Sequence, residues 1–272
     1  MRIFKASLIV TCMLGLLGCG SQQFSLPAVT ETTDGDRIPG KIIWHDLLTG
    51  TPAKTQAFFG SLFGWTFEPA PGGINYTLIR HNGRLIGGMV DRTRLPQEVT
   101  YSQWVVAMSV VDIEQRVEAV RSSGGTVLTP PTSLGDRGRI AVVAGVDNAL
   151  LALLETRDGD PTDLSGSPAT GDFLWHELWT DDVAGSARFY RDLAPLAEES
   201  LGSDTLGDNI EYQLLSARGR PRFGIRSLPS AEIPPAWVSY LRVADTAELD
   251  ALLARVEGLG GRVLVPATPR PR

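Results

Sequence analysis

The chain has 272 residues with 25 basic and 31 acidic side chains, a net charge of −6. Apolar residues make up 43% and charged residues 21%, enough for a core, which excludes a wholly disordered chain. The acidic balance, with no Lys/Arg cluster, excludes an electrostatic surface for nucleic acid, and three His with two Cys are too few for a zinc-finger or disulfide scaffold.

The first elements are targeting signals. Arg2 and Lys5 precede thirteen uncharged residues at 6–18. That run is shorter than the ~20 residues a spanning helix needs and has the length of a signal-peptide apolar region. It ends in Leu16-Leu17-Gly18-Cys19, which resembles a bacterial lipobox, so residues 1–18 are read as a signal peptide and Cys19 as the lipidated residue. Cleavage would take the charge from −6 to −8 and leave no free thiol. The expected location is the cell envelope, outside the cytoplasm. It is the outer membrane if the organism has one, because Gly20 rather than Asp follows the Cys. Residues 19–39, rich in Thr, Asp, Pro and Gly, read as a tether.

From residue 41 the chain becomes periodic. Residues 42–48 predict a strand. Thr51 and Pro52 predict a helix start and Gly64 its end. Strands are expected near 65–68, 76–81 and 84–90, with Asn82-Gly83 as a hairpin turn. The order then restarts: a strand at 103–110, and a helix capped by Asp112 and Gln115, with Val117 and Val120 facing inward. Gly124-Gly125 stops that helix, and strands follow at 126–128, 139–144 and 149–155.

The pattern then recurs as a whole. Trp44-His45-Asp46-Leu47 matches Trp175-His176-Glu177-Leu178 at an offset of 131, and Phe58-Phe59 matches Phe189-Tyr190. Gly88 matches Gly224, Trp104 matches Trp237, and Gly124-Gly125 matches Gly260-Gly261. A period near 130 is the size of a domain rather than of a solenoid repeat. Asp245 with Glu248 repeats the capping box, and Leu249, Leu252, Leu253 and Val256 repeat the helix stripe.

This pairing of βαβββ modules, with Leu62-Phe63-Gly64-Trp65 and Trp175-His176-Glu177-Leu178, resembles the vicinal oxygen chelate superfamily, which includes glyoxalase I, extradiol dioxygenases and bleomycin-resistance proteins. The resemblance implies an α+β fold. Tandem domains at 40–157 and 172–272 are joined by a linker at 158–171, and each forms a curved sheet with helices on its outer face. The second copy reaches 266–272 with about twenty residues fewer than the first and lacks the two closing strands. An incomplete sequence, a shortened protein or completion by another chain would account for this. The run of three Pro and two Arg at 266–272 is unlike a strand and favours an incomplete or frameshifted sequence.

Active members of the superfamily hold a divalent ion at four inward strand positions. Aligned here, these fall on Trp44, near Gly87-Gly88, at 104–106 and on Ala152. None is a good ligand. His45 and Glu155 each point to the opposite face from the aligned position, since a one-residue slip reverses a strand side chain. No cofactor is therefore expected, with a divalent metal at His45 and Glu155 as the alternative. His45 and His176 read first as structural histidines. Trp44, Trp104, Trp175 and Trp237 read first as core and second as the aromatic wall of a pocket. With Asp46, Ala152 and Glu177 they form the candidate ligand-binding set.

Three functions stay open at this point. The favoured one is a lipid-anchored protein binding a small, partly apolar molecule without a metal centre, as a monomer or homodimer and without nucleic acid. The second is a metal-dependent glyoxalase-type lyase or dioxygenase. The third is a structural or interaction lipoprotein that has lost the pocket.

Overall fold

A computed structural model describes residues 25–95, 102–199 and 210–267. The residues read as a signal peptide, the expected lipidation site Cys19 and residues 268–272 lie outside the described residues. Among those described, no helix is long and apolar enough to cross a membrane.

The first sheet is built from β1 (Ile42–Thr49), β2 (Thr66–Pro69), β3 (Thr77–His81), β4 (Arg84–Asp91), β5 (Gln103–Ser109), β6 (Thr126–Val127), β7 (Thr132–Ser133), β8 (Gly138–Ala144) and β9 (Leu150–Thr156). Their order is β2-β3-β4-β1-β5-β9-β8-β6, with β7 beside β8. Each half of the sheet carries one helix, α1 (Pro52–Phe63) and α2 (Ile113–Ser122). The local signals act as expected. Asn82 and Gly83 turn the hairpin at φ 49° and 76°, and Gly64 ends α1 at φ 70°. Asp112 accepts from Gln115 N at 3.1 Å, and Val117 and Val120 are buried. Thr51 makes no side-chain cap, so Pro52 carries the start of α1 alone.

The second sheet repeats this pairing. It contains β10 (Phe173–Thr180), β11 (Ala197–Glu199), β12 (Tyr212–Ala217), β13 (Arg220–Ser227) and β14 (Ala236–Leu241), in the order β11-β12-β13-β10-β14. Its helices are α3 (Val183–Leu193) and α4 (Thr246–Val256). β1 is parallel to β4 with Asp46 opposite Gly88, and β10 is parallel to β13 with Glu177 opposite Gly224. Asp245 caps α4 by accepting from Glu248 N at 2.9 Å, while Glu248 reaches back to accept from the N–H of Ala244, the residue before the cap. The α4 stripe, however, buries no residue. Residues 263–265 do not form the strand that the repeat predicts. Val263, Leu264 and Val265 are 37%, 75% and 57% exposed. In the first sheet β6 pairs with β8, and the described residues of the second sheet include no equivalent of β8.

The helix-bearing faces of the two sheets meet in one core. Val106, Met108, Val117 and Val120 from the first pack with Phe189, Tyr190, Phe223 and Trp237 from the second. Arg116 clamps α2 to the end of α3 by donating to Leu193 O at 3.3 Å.

The segment read as a tether is docked from residue 25 onward. Leu26, Val29 and Ile38 are buried, Leu26 N donates to Leu134 O at 2.9 Å, and Ile38 N donates to the buried Asp160 at 2.6 Å. Three apolar side chains in a polar stretch find cover on the first sheet, which accounts for the difference from a free tether. The linker is held as well, since Asp160 also accepts from Ser109 Oγ at 2.5 Å and from Thr156 Oγ1 at 2.9 Å.

Candidate functional site

Strand alternation sorts the candidate residues into two faces. Trp44, Asp46 and Ala152 lie on the face of the first sheet turned away from the helices, with Val105 and Ala107 between them. Trp104 does not join them. It pairs with Leu47 on the helix face, where it packs beside Phe59, Trp65 and Phe173. Trp237 likewise packs on Tyr190 and Phe223, ring centroids 5.5 and 5.1 Å away. Both belong to the core and are withdrawn from the pocket set. The register explains this, because Trp44 sits opposite Ala107 and its neighbour in face is Val105, one residue beyond Trp104.

On the inner face, Asp46 is the centre of a buried polar cluster. Trp44 Nε1 donates to Asp46 Oδ1 at 3.0 Å, and the Tyr76 hydroxyl donates to the same oxygen. Arg137 donates to the Tyr76 hydroxyl at 2.7 Å and to Pro27 O at 3.0 Å, and its guanidinium carbon lies 4.0 Å from the centre of the Trp44 ring. Burial raises the Asp46 carboxyl above its ordinary pKa, while the Arg137 charge and the two hydrogen bonds pull it down. Burial likewise pushes the Tyr76 hydroxyl up. Arg137 Nη2 is buried and has no hydrogen-bond partner among the described residues. Tyr76 and Arg137 were not singled out from the sequence. Tyr76 recurs as Tyr212 at the same offset of 136 as Gly88 and Gly224, a signal that was present. Nothing local to Arg137 marks it.

The second sheet carries the matching set. Glu177 is 1% exposed and accepts from Trp179 Nε1 at 3.1 Å and from Tyr240 OH at 2.5 Å. Trp175 Nε1 donates to Tyr212 OH at 3.3 Å, and burial first, then Glu177, raises the Tyr212 hydroxyl to about 12. In both sheets the glycine opposite the carboxylate makes room for the tyrosine. A Cβ on Gly88 would overlap the Tyr76 hydroxyl and lie 2.6 Å from Asp46, and one on Gly224 would overlap the Tyr212 hydroxyl. Gly88→Ala and Gly224→Ala are each expected to cost about 1–3 kcal/mol, read by chemical denaturation, because overpacking forces side chains off their rotamers.

His45 and Glu155 do not converge. His45 lies on the helix face of β1, where its Nε2 is 2.7 Å from His176 Nε2, the equivalent atom of the second sheet. Equivalent groups meeting each other mark a local two-fold axis. His45 Nδ1 is 3.2 Å from Ile86 O and donates to it, so its Nε2 accepts and His176 donates. The Phe173 ring stacks on His45 at 3.5 Å. Glu155 accepts from Asp112 N at 2.9 Å and faces Arg139 at 3.7 Å.

A cavity of about 600 Å³ opens between the docked segment, the first sheet, the linker and β13. Val29, Trp44, Leu85 and Phe173 supply apolar lining, and Lys41, Arg84, Asp163, Asp172 and Arg222 are among a comparable share of polar and charged lining. Arg84 is paired with Asp172, and Arg222 with Asp163 at 2.6 Å. Arg222 and then Lys41 hold the Asp163 carboxyl well below the usual range.

No family model matches the chain. It is 28% identical over 224 residues to the provisionally named glyoxylase CFP32 of Mycobacterium tuberculosis, covering 81% of this chain and 83% of that protein. It is 27% identical over 248 residues to the anthracycline biosynthesis protein DauV of a Streptomyces species, covering 86% and 87%. Among solved structures it superposes on the Mn(II)-bound glyoxalase of Novosphingobium aromaticivorans with a TM-score of 0.55 and 14% identity, covering 82% of this chain and 72% of that one. The 2,2',3-trihydroxybiphenyl 1,2-dioxygenase of Sphingomonas wittichii gives a TM-score of 0.53, also at 14% identity, covering 84% and 81%. The fold is therefore that of the glyoxalases and dioxygenases, the vicinal oxygen chelate fold that the sequence resembles.

These neighbours correct the expectation of no cofactor, since one of them is a manganese-bound glyoxalase and a divalent metal is part of what this fold carries. The fit in this chain was tested on its own side chains. The inner positions of the first sheet hold Trp44, Gly88, Val105, Ala107 and Ala152, with Asp46 as the only carboxylate among them. Among the described residues no three His, Cys, Asp or Glu side chains gather as a metal would need. The donor set does not fit the metal, and no chemical step is routed through one.

Proposed function

We propose that the chain is a lipid-anchored, tandem member of the vicinal oxygen chelate superfamily that binds a small, partly apolar molecule in the cleft beside the first sheet. The observation that carries this is the cavity of about 600 Å³ with its wall of Val29, Trp44, Leu85 and Phe173. Small-molecule sites have volumes of roughly 300–1,000 Å³, and the charged part of this lining, Lys41, Arg84, Asp163, Asp172 and Arg222, makes the expected ligand only partly apolar. Two similar proteins named for anthracycline biosynthesis support a planar aromatic ligand. Lipidation of Cys19 is supported by the lipobox-like sequence alone.

The test is a tryptophan-fluorescence titration with a soluble anthraquinone. Saturable quenching is expected, weakened at least tenfold by Leu85→Trp, which fills the cleft. Unchanged affinity in that variant would overturn the site. A parallel Mn(II) titration addresses catalysis: stoichiometric binding with glyoxalase or ring-cleaving turnover would replace ligand binding with the metal-dependent reading.

A further inference from the structure

Residues 25–30 lie across the inner face of the first sheet in the manner of a bound ligand. Val29 is 4% exposed and joins the apolar cluster of Trp44, Val105, Ala107 and Ala152. Leu26 is 3% exposed and joins that of Ala70 and Leu78, beside Tyr76 and Leu85. Between the two, the Pro27 carbonyl accepts from Arg137 Nε at 3.0 Å. The segment has few polar ties to the sheet. Pro27 has no N–H to offer a strand. Among the described residues, Leu26 N to Leu134 O is the single main-chain bond from residues 25–33 to the rest of the chain. Ser25 Oγ adds one bond, accepted from Asp136 N at 2.8 Å. Residues 31–36 are all exposed and include Gly35 at φ 87° with open space around it, whereas Ile38 beyond them is fixed by Asp160. A few loop residues that absorb a backbone change between an anchor and a docked end make a hinge. The face beneath is not fully satisfied by this occupant, since Arg137 is 2% exposed and its Nη2 is a buried donor without a partner among the described residues.

We infer that residues 25–30 are a self-inhibitory strap. They fill the place that an apolar molecule with a carbonyl, carboxylate or sulfonate oxygen would take against Trp44 and Arg137, and they must lift before it binds. Val29 stands in for the apolar body of that molecule and the Pro27 carbonyl for its oxygen. A ligand then meets only the lifted fraction of the protein, and its apparent affinity is lowered by that fraction.

Native-state hydrogen exchange on the full chain reads the lifting directly. The Leu26 amide is expected to exchange roughly a hundredfold faster than the amides of β5 in the middle of the sheet, through a local opening. This readout uses no ligand, so it succeeds or fails independently of the cleft proposed above. The probe for the covered face is anilinonaphthalene sulfonate, an apolar dye with sulfonate oxygens. Val29→Asp puts a charge into the apolar cluster and unseats the strap. It should tighten saturable dye binding about tenfold over the unaltered chain while unfolding stays cooperative. Gly224→Ala, which strains the other sheet, should not. Leu26→Ser takes the place of Val29→Asp if that variant fails to fold. Leu26 protection equal to that of β5, unchanged dye affinity in a folded strap variant, or an equal gain in Gly224→Ala would overturn the inference.

Discussion

Replacing Arg137 with methionine is expected to lower Tm by about 10 °C. The guanidinium is the compensating charge for the Asp46 carboxylate, and both side chains are almost wholly buried. Removing one partner of a buried pair costs about 3–5 kcal/mol, because the remaining charge is left in a poor solvent. In a chain of this size each kcal/mol is worth about 2–4 °C. Asp46→Asn in the same background should return at least half of the loss. The deficit should also depend on pH. Burial already raises the Asp46 pKa, and losing Arg137 raises it further, so the folded state holds a proton that the unfolded state releases near pH ~3.9. A raised carboxyl stabilises fully below the unfolded pKa, and that contribution is lost as pH rises through the folded value. The deficit is therefore smallest near pH ~4 and grows toward neutrality. A deficit that is flat across that range would show that Arg137 does not compensate Asp46.

The second expected result is a loss of stability on acidification, starting near pH ~6.5. Burial holds His176 down to about 3 and, with the neighbouring His176, holds His45 well below its ordinary value. Both are neutral in the folded protein. Below their unfolded pKa of ~6.5 the unfolded chain takes up protons that the folded chain refuses. Each histidine then removes about 1.4 kcal/mol per pH unit. For His176 the window runs from ~6.5 down to about 3. Above it the contribution is complete. Because the two rings hydrogen-bond across the junction of the sheets, the double variant His45→Leu/His176→Leu should flatten this acid limb in urea titrations at stepped pH. An equal slope in the double variant would assign the acid limb to other groups.

Much of the fold was legible because its signals are local. Asn82-Gly83, the Asp112 and Asp245 caps, and Gly64 each act within a few residues of themselves. The repeat was legible too, since the Trp-His-acid-Leu run recurs at one offset. The facing of Trp104 and Trp237 was not, because face depends on strand register, and β1 carries an irregularity between Ile42 and Trp44. Of the inner-face cluster, Trp44 and Asp46 could be placed from alternation alone. Arg137 could not, as it reaches Tyr76 from 61 residues away and is fixed there by a carbonyl of the docked segment. His45 and His176 were readable as structural, but only the folded chain shows that each is the other's partner.

If Cys19 carries a lipid, as proposed, the docked segment would limit how far the body of the protein stands from a bilayer. Seven residue steps separate Cys19 from Leu26, the first side chain held against the sheet. Fully stretched, they reach only about 25 Å. A lipid on Cys19 would therefore act as a short leash rather than a long line. The docked segment around Leu26 and Val29, which lines one side of the cleft, would then stay within that reach of the headgroups.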